Sequence, residues 1–356
     1  MKYFTTTNAS ILQSSILHLG NTNANFTLMQ YSGEICVYYI DRDPKIAAFV
    51  DSNKERAKEL SLQYGGAVYA SLDDALKNET FDAVTVATPS GLHGEAVIKA
   101  ASYGKHSIVE KPIDVSIDAA KNMIRECRKN NVYLSCILQH RFDSSTRIVR
   151  QMMNDGLLGQ LIFIHASLNI NRPREYYKNS EWRGTFELDG GGVLMNQAIH
   201  YVDLLYHLGG EVEDVFSIQA NLSHDYLAVE DVVSATLRFR NGAIGTLNAT
   251  TSAPTKIGSR MEIVCENGYC VIEDHQLVRL SLYDTEKNPI KTSLSNHNVE
   301  EPSSHHLQFQ DFFTSILNRR EPLVTGEEGM VSLHLVHHIY SSAHTNQMVS
   351  LKENCI

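Results

Sequence analysis

No apolar run in this 356-residue chain approaches the roughly 18 residues that a membrane-spanning helix needs. Positive charge is also short: 31 Lys and Arg face 41 Asp and Glu, a net charge of −10, which argues against nucleic acid or an anionic membrane as partner. The six cysteines (36, 127, 136, 265, 270 and 356) show no CxxC spacing, so neither a zinc site nor a disulfide framework is suggested, and no metal is expected. Cys265 and Cys270 flank a Glu-Asn-Gly turn and could face each other across a hairpin; reduced thiols in strands are the plainer reading. The first twenty residues hold one Lys and only short apolar stretches, with no signal-peptide core and no twin-Arg pair, so a cytoplasmic protein is expected.

The most consequential absence is a glycine-rich phosphate loop. The segment 45–138 alternates short β-rich runs with helical patterns, the mark of βαβ units around a parallel sheet. Strands are expected at Lys45–Asp51, Phe81–Ala87, Ser107–Val109 and Tyr133–Leu138, and helices at Asn53–Tyr64, His93–Tyr103 and Ser116–Asn130. A dinucleotide-binding version would carry G-x-G-x-x-G after a first strand, about 20 residues before an acid. Upstream there is only Ile16-Leu17-His18-Leu19-Gly20-Asn21-Thr22. Gly20 is the candidate first glycine, but it lies 31 residues before Asp51, and Thr22 places a Cβ where backbone should approach the pyrophosphate. Residues 35–44 read as an insertion. Either the loop is remodelled or residues 1–44 are an unrelated replacement; Ile16–Gly20 as the first central strand would favour the former.

From about residue 145 the pattern changes. Helices are expected at Ser145–Asp155, Val193–Leu208, Ser304–Leu317 and Gly329–Thr345, with a polar, aromatic loop over 171–192. Long alternating strands fall at Leu161–Ile170, Val212–Ser223, Val232–Phe239, Ala243–Thr251, Arg260–Cys265 and Tyr269–Glu273, with Asn-Gly turns at 241–242 and 267–268. The fold class is therefore α/β: a Rossmann-like doubly wound parallel sheet over 1–138, of which 1–44 is atypical. An α+β domain with a large, mostly antiparallel open sheet follows over 139–356, its C-terminal helix able to pack back on the first domain.

Several side chains carry chemistry. Ligands of doubly wound sheets bind beyond the carboxyl ends of the strands, where Asp51, Thr88-Pro89 and Glu110-Lys111-Pro112 fall. Asp51 can accept hydrogen bonds from ribose hydroxyls and repel a 2′-phosphate, or cap the helix that follows. Pro112 biases Lys111 toward extended backbone, aiming an ammonium into the cleft. Asn196 and His200, at i and i+4 after three glycines, should share a helix face, with His200 as general base. The segment 171–185 gathers three Arg, two Tyr and the single tryptophan, suited to anionic groups and sugar rings.

These motifs carry a resemblance. Val86-Ala87-Thr88-Pro89 with His93, Glu110-Lys111-Pro112 and Gly191-Gly192 through His200-Tyr201-Val202-Asp203, together with the C-terminal 326–350, resemble the glucose-fructose oxidoreductase / inositol dehydrogenase / rhizopine-catabolism (Gfo/Idh/MocA) family over residues 45–352. The resemblance implies a dehydrogenase using NAD, with NADP disfavoured, in which Lys111 and His200 flank the reacting carbon and Asn196 orients a hydroxyl. Cofactor contacts are expected from Gly20, as the candidate first glycine, and, with the resemblance, from Asp51, Ser52, Thr88, Pro89, His93, Glu110, Lys111, Gln139 and Arg141, and substrate contacts from Tyr177, Trp182, Arg183, Asn196 and Gln197. The expected substrate is a sugar, sugar acid, polyol or nucleotide sugar, and the expected assembly a homodimer or tetramer through the C-terminal sheet. Many members carry Asp where Asn196 stands, and the family's first strand and glycine loop are not matched. Two other readings follow from that: a non-redox sugar-binding pseudoenzyme or regulator, and NAD-dependent glycosidase-type chemistry.

Overall fold

The computed structural model describes residues 34–39, 44–284, 286–290 and 302–351. Gly20 and the expected strand at Ile16–Gly20 lie outside them. The first sheet has six strands in the order β3-β2-β1-β4-β5-β6. They are β1 (Glu34–Tyr39), β2 (Lys45–Val50), β3 (Ala67–Tyr69), β4 (Ala83–Ala87), β5 (His106–Val109) and β6 (Leu134–Cys136). The crossovers carry α1 (Lys54–Tyr64), α2 (Leu72–Asn78), α3 (His93–Ser102) and α4 (Ile117–Lys129). The starts of α1, α2 and α4 follow side-chain capping: Asn53, Ser71 and Ser116 accept from the third residue on. β3 and α2 are too short and too weakly patterned to have been expected from sequence.

The segment that reads as an insertion fills the first-strand slot, and it fills it backwards. β1 pairs antiparallel with both β2 and β4, whereas β2–β3, β4–β5 and β5–β6 are parallel. Glu34 stands opposite Ala87, so the chain enters β1 at the ligand-binding edge instead of leaving the sheet there. Burial explains the occupancy. β2 is buried over its last three residues and β4 over its first four, and an empty slot between them would leave two rows of unpaired backbone groups in the interior.

After a 3₁₀ turn (Gln139–Phe142) and α5 (Ser144–Asn154), the second sheet forms. Its nine strands run β14-β13-β12-β11-β7-β10-β9-β8-β15. They comprise β7 (Leu161–Asn169), β8 (Val212–Ala220), β9 (Val232–Phe239), β10 (Ile244–Thr250), β11 (Gly258–Cys265), β12 (Gly268–Glu273), β13 (Gln276–Tyr283), β14 (Pro289–Ile290) and β15 (Val349–Ser350). Only β7 and β10 pair in parallel. β13 extends the sheet beyond the expected strands through a two-residue turn, Asp274-His275, with both residues at positive φ (40° and 70°). Cys270 stands opposite Ile263, not Cys265, and both thiols are free; burial pushes them up to about 12 and about 11.

One face of this sheet is covered by α7 (Ile199–Gly209) and α9 (Gly326–Thr345); a short helix, α6 (Arg174–Lys178), lies in the segment between β7 and α7. α8 (Ser304–Asn318) packs its phenylalanines 309, 312 and 313 against Phe49, Ala83 and Ile108 of the first sheet. α9 also reaches that side: Gly329 sits so close to Cys136 that a Cβ there would lie 2.5 Å from Cys136 Cβ. The two sheets are thus joined by α9, which packs on β8 of the second and β6 of the first.

Arg141 is part of this joint. It lies in the 3₁₀ turn, and its guanidinium meets Asp203 of α7 with two hydrogen bonds (2.9 and 2.7 Å) and Glu328 of α9 with a third (2.5 Å). These three bonds make Arg141 a brace between the 3₁₀ turn, α7 and α9. Arg141→Ala would leave the 1%-exposed Asp203 without its cation. It should destabilise the fold by about 3–5 kcal/mol, read as a shift in urea unfolding.

Candidate active site

The carboxyl ends of β2, β4 and β5 carry Asp51, Thr88-Pro89 and Glu110-Lys111-Pro112, as the alternation of strands and helices requires. Asp51 is buried. Its Oδ1 accepts from the Asn53 backbone N–H (2.7 Å), and the cap of α1 is Asn53, so capping does not explain Asp51. Its Oδ2 has Arg56 at 3.3 Å but no hydrogen bond. The Thr88 hydroxyl is likewise buried without a partner. Both residues border a cleft of about 600 Å³ whose opposite wall includes Trp182 and Arg183. Ser52, Pro89 and Ile35 of the inverted strand line it too. Trp182 and Arg183, expected against substrate, therefore also face the cleft beside Asp51. The loop that carries them is pinned there: the Gly91 N–H donates to Leu188 O (3.0 Å), and a Cβ on Gly91 would lie 2.4 Å from Glu187 O.

The peptide between Lys111 and Pro112 is cis. The Lys111 ammonium donates to the backbone oxygen of Asn196 (2.5 Å), so the two sequence motifs meet directly. Burial lowers the Lys111 pKa, opposed by the charges of Glu110 and Asp189; burial raises Glu110, whose carboxylate accepts from the Lys111 N–H (3.1 Å). Asn196 donates through Nδ2 to Asp189, which also accepts from the Gly184 N–H (2.8 Å). Asp189 is buried, and burial pushes its carboxyl up. It places a carboxylate behind Asn196, one step further out than an acid at 196 itself would.

His93 supports the turn rather than lining it. It is 1% exposed, and its two ring nitrogens face the carbonyls of Pro112 and Thr88, each at 2.9 Å. Burial outweighs those carbonyls and pushes its pKa down to about 4. In the unfolded chain the ring titrates near 6.5, so the unfolded state takes up a proton that the folded state refuses. Stability should therefore fall as pH drops from about 6.5 to about 4, by roughly 3 kcal/mol from this residue alone. Urea midpoints measured across that range should show the slope, flattened in His93→Gln.

The expected helix over 193–208 begins as a π turn, Val193–Ala198, before α7 takes over at Ile199. The cause lies in the glycines before it. Gly192 approaches Glu230 so closely that a Cβ would lie 1.8 Å from the Glu230 carbonyl oxygen. The buried Glu230 carboxylate accepts from the N–H groups of Gly192 (3.0 Å) and Leu194 (2.9 Å) and from the Tyr340 hydroxyl (3.0 Å). Glu230 and Tyr340 thus hold the wide turn in place. They lie far away in sequence and carry no local motif, so sequence reasoning passed over them.

The π turn changes the expected Asn196–His200 pair. No hydrogen bond joins them: Asn196 turns to Asp189 and Gln197, and His200 packs edge-on to His140, ring centroids 4.8 Å apart. His200 Nδ1 is buried without a partner. Burial lowers its pKa well below 6.5, helped by His140, Lys111, His305 and His275. It is therefore neutral, able to accept a proton, through the neutral range. Gln197 is held by Arg172 (2.7 Å) and by the Tyr176 hydroxyl (3.2 Å), and Arg172 and Arg183 both lie over the Tyr176 ring. Tyr177 packs against His224 and Tyr226. Gln139 directs its amide nitrogen to His140 (3.4 Å) and leaves its buried Oε1 without a partner.

A six-stranded Rossmann-type sheet with an acid beyond β2, joined to a nine-stranded open sheet, defines a two-part oxidoreductase of the dinucleotide-binding class. The chain belongs to the GFO/IDH/MocA family. Residues 26–137 match its oxidoreductase, NAD-binding Rossmann-fold model, and 146–271 match its C-terminal domain. The WlbA dehydrogenase of Bordetella pertussis, solved with NADH and UDP-GlcNAcA, is similar at 30% identity and TM-score 0.77, over 87% of this chain and 91% of that one. Myo-inositol 2-dehydrogenase of Thermotoga maritima is 24% identical over 87% of this chain and 92% of its own length. The 2,7-anhydro-N-acetylneuraminate hydratase of Escherichia coli is 31% identical over 65% of this chain and 58% of its own.

Proposed function

We propose that this protein oxidises a secondary hydroxyl of a sugar, sugar acid, polyol or nucleotide sugar with NAD. The observation that carries the reading is the 2.5 Å contact of Lys111 with the Asn196 carbonyl, which brings a buried ammonium, an amide and the neutral His200 segment together. The cofactor fits the residues present on its adenosine side. Asp51 Oδ2 and Thr88 Oγ1, both buried in the cleft without hydrogen-bond partners, suit ribose hydroxyls, and the Asp51 charge disfavours a 2′-phosphate. Ser52, Pro89, Glu110 and Gln139 stand around the same edge, with His93 behind.

When bound, NAD supplies the hydride acceptor. Lys111 donates a hydrogen bond to the substrate hydroxyl and stabilises negative charge as it forms. The His200 imidazole takes the hydroxyl proton. Asn196, held by Asp189, fixes the carbonyl that aims Lys111. Arg172, Arg183, Tyr176, Tyr177 and Trp182 suit a substrate with a sugar ring and an anionic group, as in the WlbA complex. The relatives act on inositols and on acidic or nucleotide-linked sugars, which supports the same class. Incubation with NAD and a panel of such compounds should give NADH with at least one. A panel without turnover, from protein that binds NADH, would favour glycosidase-type chemistry, checked with aryl glycosides.

The inverted β1 favours a second reading, a sugar-binding protein without redox turnover. Among the described residues no glycine loop and helix follow a strand at the pyrophosphate position. The same proposal includes a division into domains at 138/139 and a homo-oligomer formed through the second sheet. Exposed Phe216, Ile218 and Ile244 on its strands support the latter, testable by sedimentation. It also includes a cytoplasmic location, in keeping with the four free thiols among the described residues. No helix of the described residues is long and apolar enough to cross a membrane.

A further inference from the structure

Behind His200, three donors converge that the proposed reaction does not use. Asp143 Oδ2 lies 2.9 Å from His140 Nδ1 and 3.2 Å from His275 Nδ1, and the three ligand atoms all fall within 4.8 Å of one another. The residues come from the 3₁₀ turn before α5 and from the β12–β13 turn, so no sequence spacing announces them. We propose that His140, Asp143 and His275 bind a divalent transition metal of the zinc or cobalt kind. This inference is independent of the redox reading.

The geometry points that way on two counts. Donors bound at about 2.0–2.2 Å to one ion lie roughly 2.9–3.4 Å apart, as two of these pairs do. The second count is Gln139, 8% exposed, whose amide nitrogen lies 3.4 Å from His140 Nε2 while its Oε1 is buried without a partner. Turning that amide over places Oε1 as acceptor for a proton on Nε2, which frees His140 Nδ1 for a metal. Histidine ligands are usually oriented by such an acceptor on the other ring nitrogen.

The rings of His140 and His275 now stack at 4.0 Å and 7°. Closing the third edge takes a rotation of one ring. His275 has the room: it sits at the tip of a two-residue turn and its side chain is 38% exposed. Two histidines and a carboxylate leave a coordination position for water, with nitrogen and oxygen donors that suit zinc or cobalt over calcium.

Full-length protein dialysed against Co²⁺ or Zn²⁺ at neutral pH and then gel-filtered is the test. One metal per chain is expected, with a visible Co²⁺ absorption band. His275→Ala and Asp143→Asn should each weaken binding at least tenfold, and His275→Ala, at an exposed turn, should keep the wild-type melting temperature. His334 and His338 are one turn apart on α9 and form the rival pair. His338→Ala should leave uptake unchanged. The proposal is overturned if wild-type protein takes up no metal, if His275→Ala binds as wild type does, or if uptake is lost in His338→Ala instead.

Discussion

Lys111→Ala should lower kcat about a thousandfold while changing NADH affinity less than tenfold. In the proposed reaction the ammonium, held on the Asn196 carbonyl, donates to the reacting hydroxyl, so its loss would be felt as charge develops. Positioned donors and acids of this kind typically contribute 10²–10⁴-fold. Lys111→Arg should not restore activity, because a planar guanidinium cannot replace a compact ammonium in a buried site. The pH profile adds a sign. Lys111 is one of the charges that hold His200 below its ordinary value. The acid limb of kcat/KM should therefore lie below pH 6.5 in the wild type and move upward in the residual activity of Lys111→Ala. Steady-state kinetics over pH, with NADH binding measured in parallel, checks both parts.

Gly192→Ala should be the most destabilising single methyl group in the site. Its φ of −102° is negative, and the prediction rests on the clash that a Cβ would make. The added Cβ would sit 1.8 Å from the Glu230 carbonyl oxygen and 2.9 Å from its carboxylate. Neither can retreat freely, since the Glu230 carbonyl accepts from Val193 N–H and its carboxylate from Gly192, Leu194 and Tyr340. Overpacking against backbone should cost about 3 kcal/mol or more and unseat the π turn. Gly156→Ala is the contrast: nothing lies within 4 Å of its Cβ, and only its φ of +72° counts, worth about 1 kcal/mol. Thermal unfolding of the two variants should separate steric from conformational cost.

These two predictions mark where sequence reasoning succeeds and where it stops. The placement of Lys111 at a strand end was legible because a proline and an apolar run are local signals, and that of Asp51 because it directly follows β2. The alternating strands of the second sheet were legible through their period of two. His200 was legible by motif, but not its surroundings. The i, i+4 pairing with Asn196 assumed an α-helix, and the π turn arises from Glu230 and Tyr340, contacts invisible to local pattern. Arg141 reads as a site residue, and its bracing bonds to Asp203 and Glu328, made across distant elements, were not legible. The direction of β1 was also hidden: residues 34–39 resemble any strand, and no local signal tells that they pair antiparallel with β2 and β4.

The central claim is that a cleft with an inverted first strand still holds NADH. Calorimetric titration of NADH into wild-type protein and into Asp51→Ala tests it most directly. One NADH per chain, with affinity lowered roughly tenfold or more in Asp51→Ala, is the expected result. No heat of binding in the wild type, or binding that Asp51→Ala leaves unchanged, would contradict it.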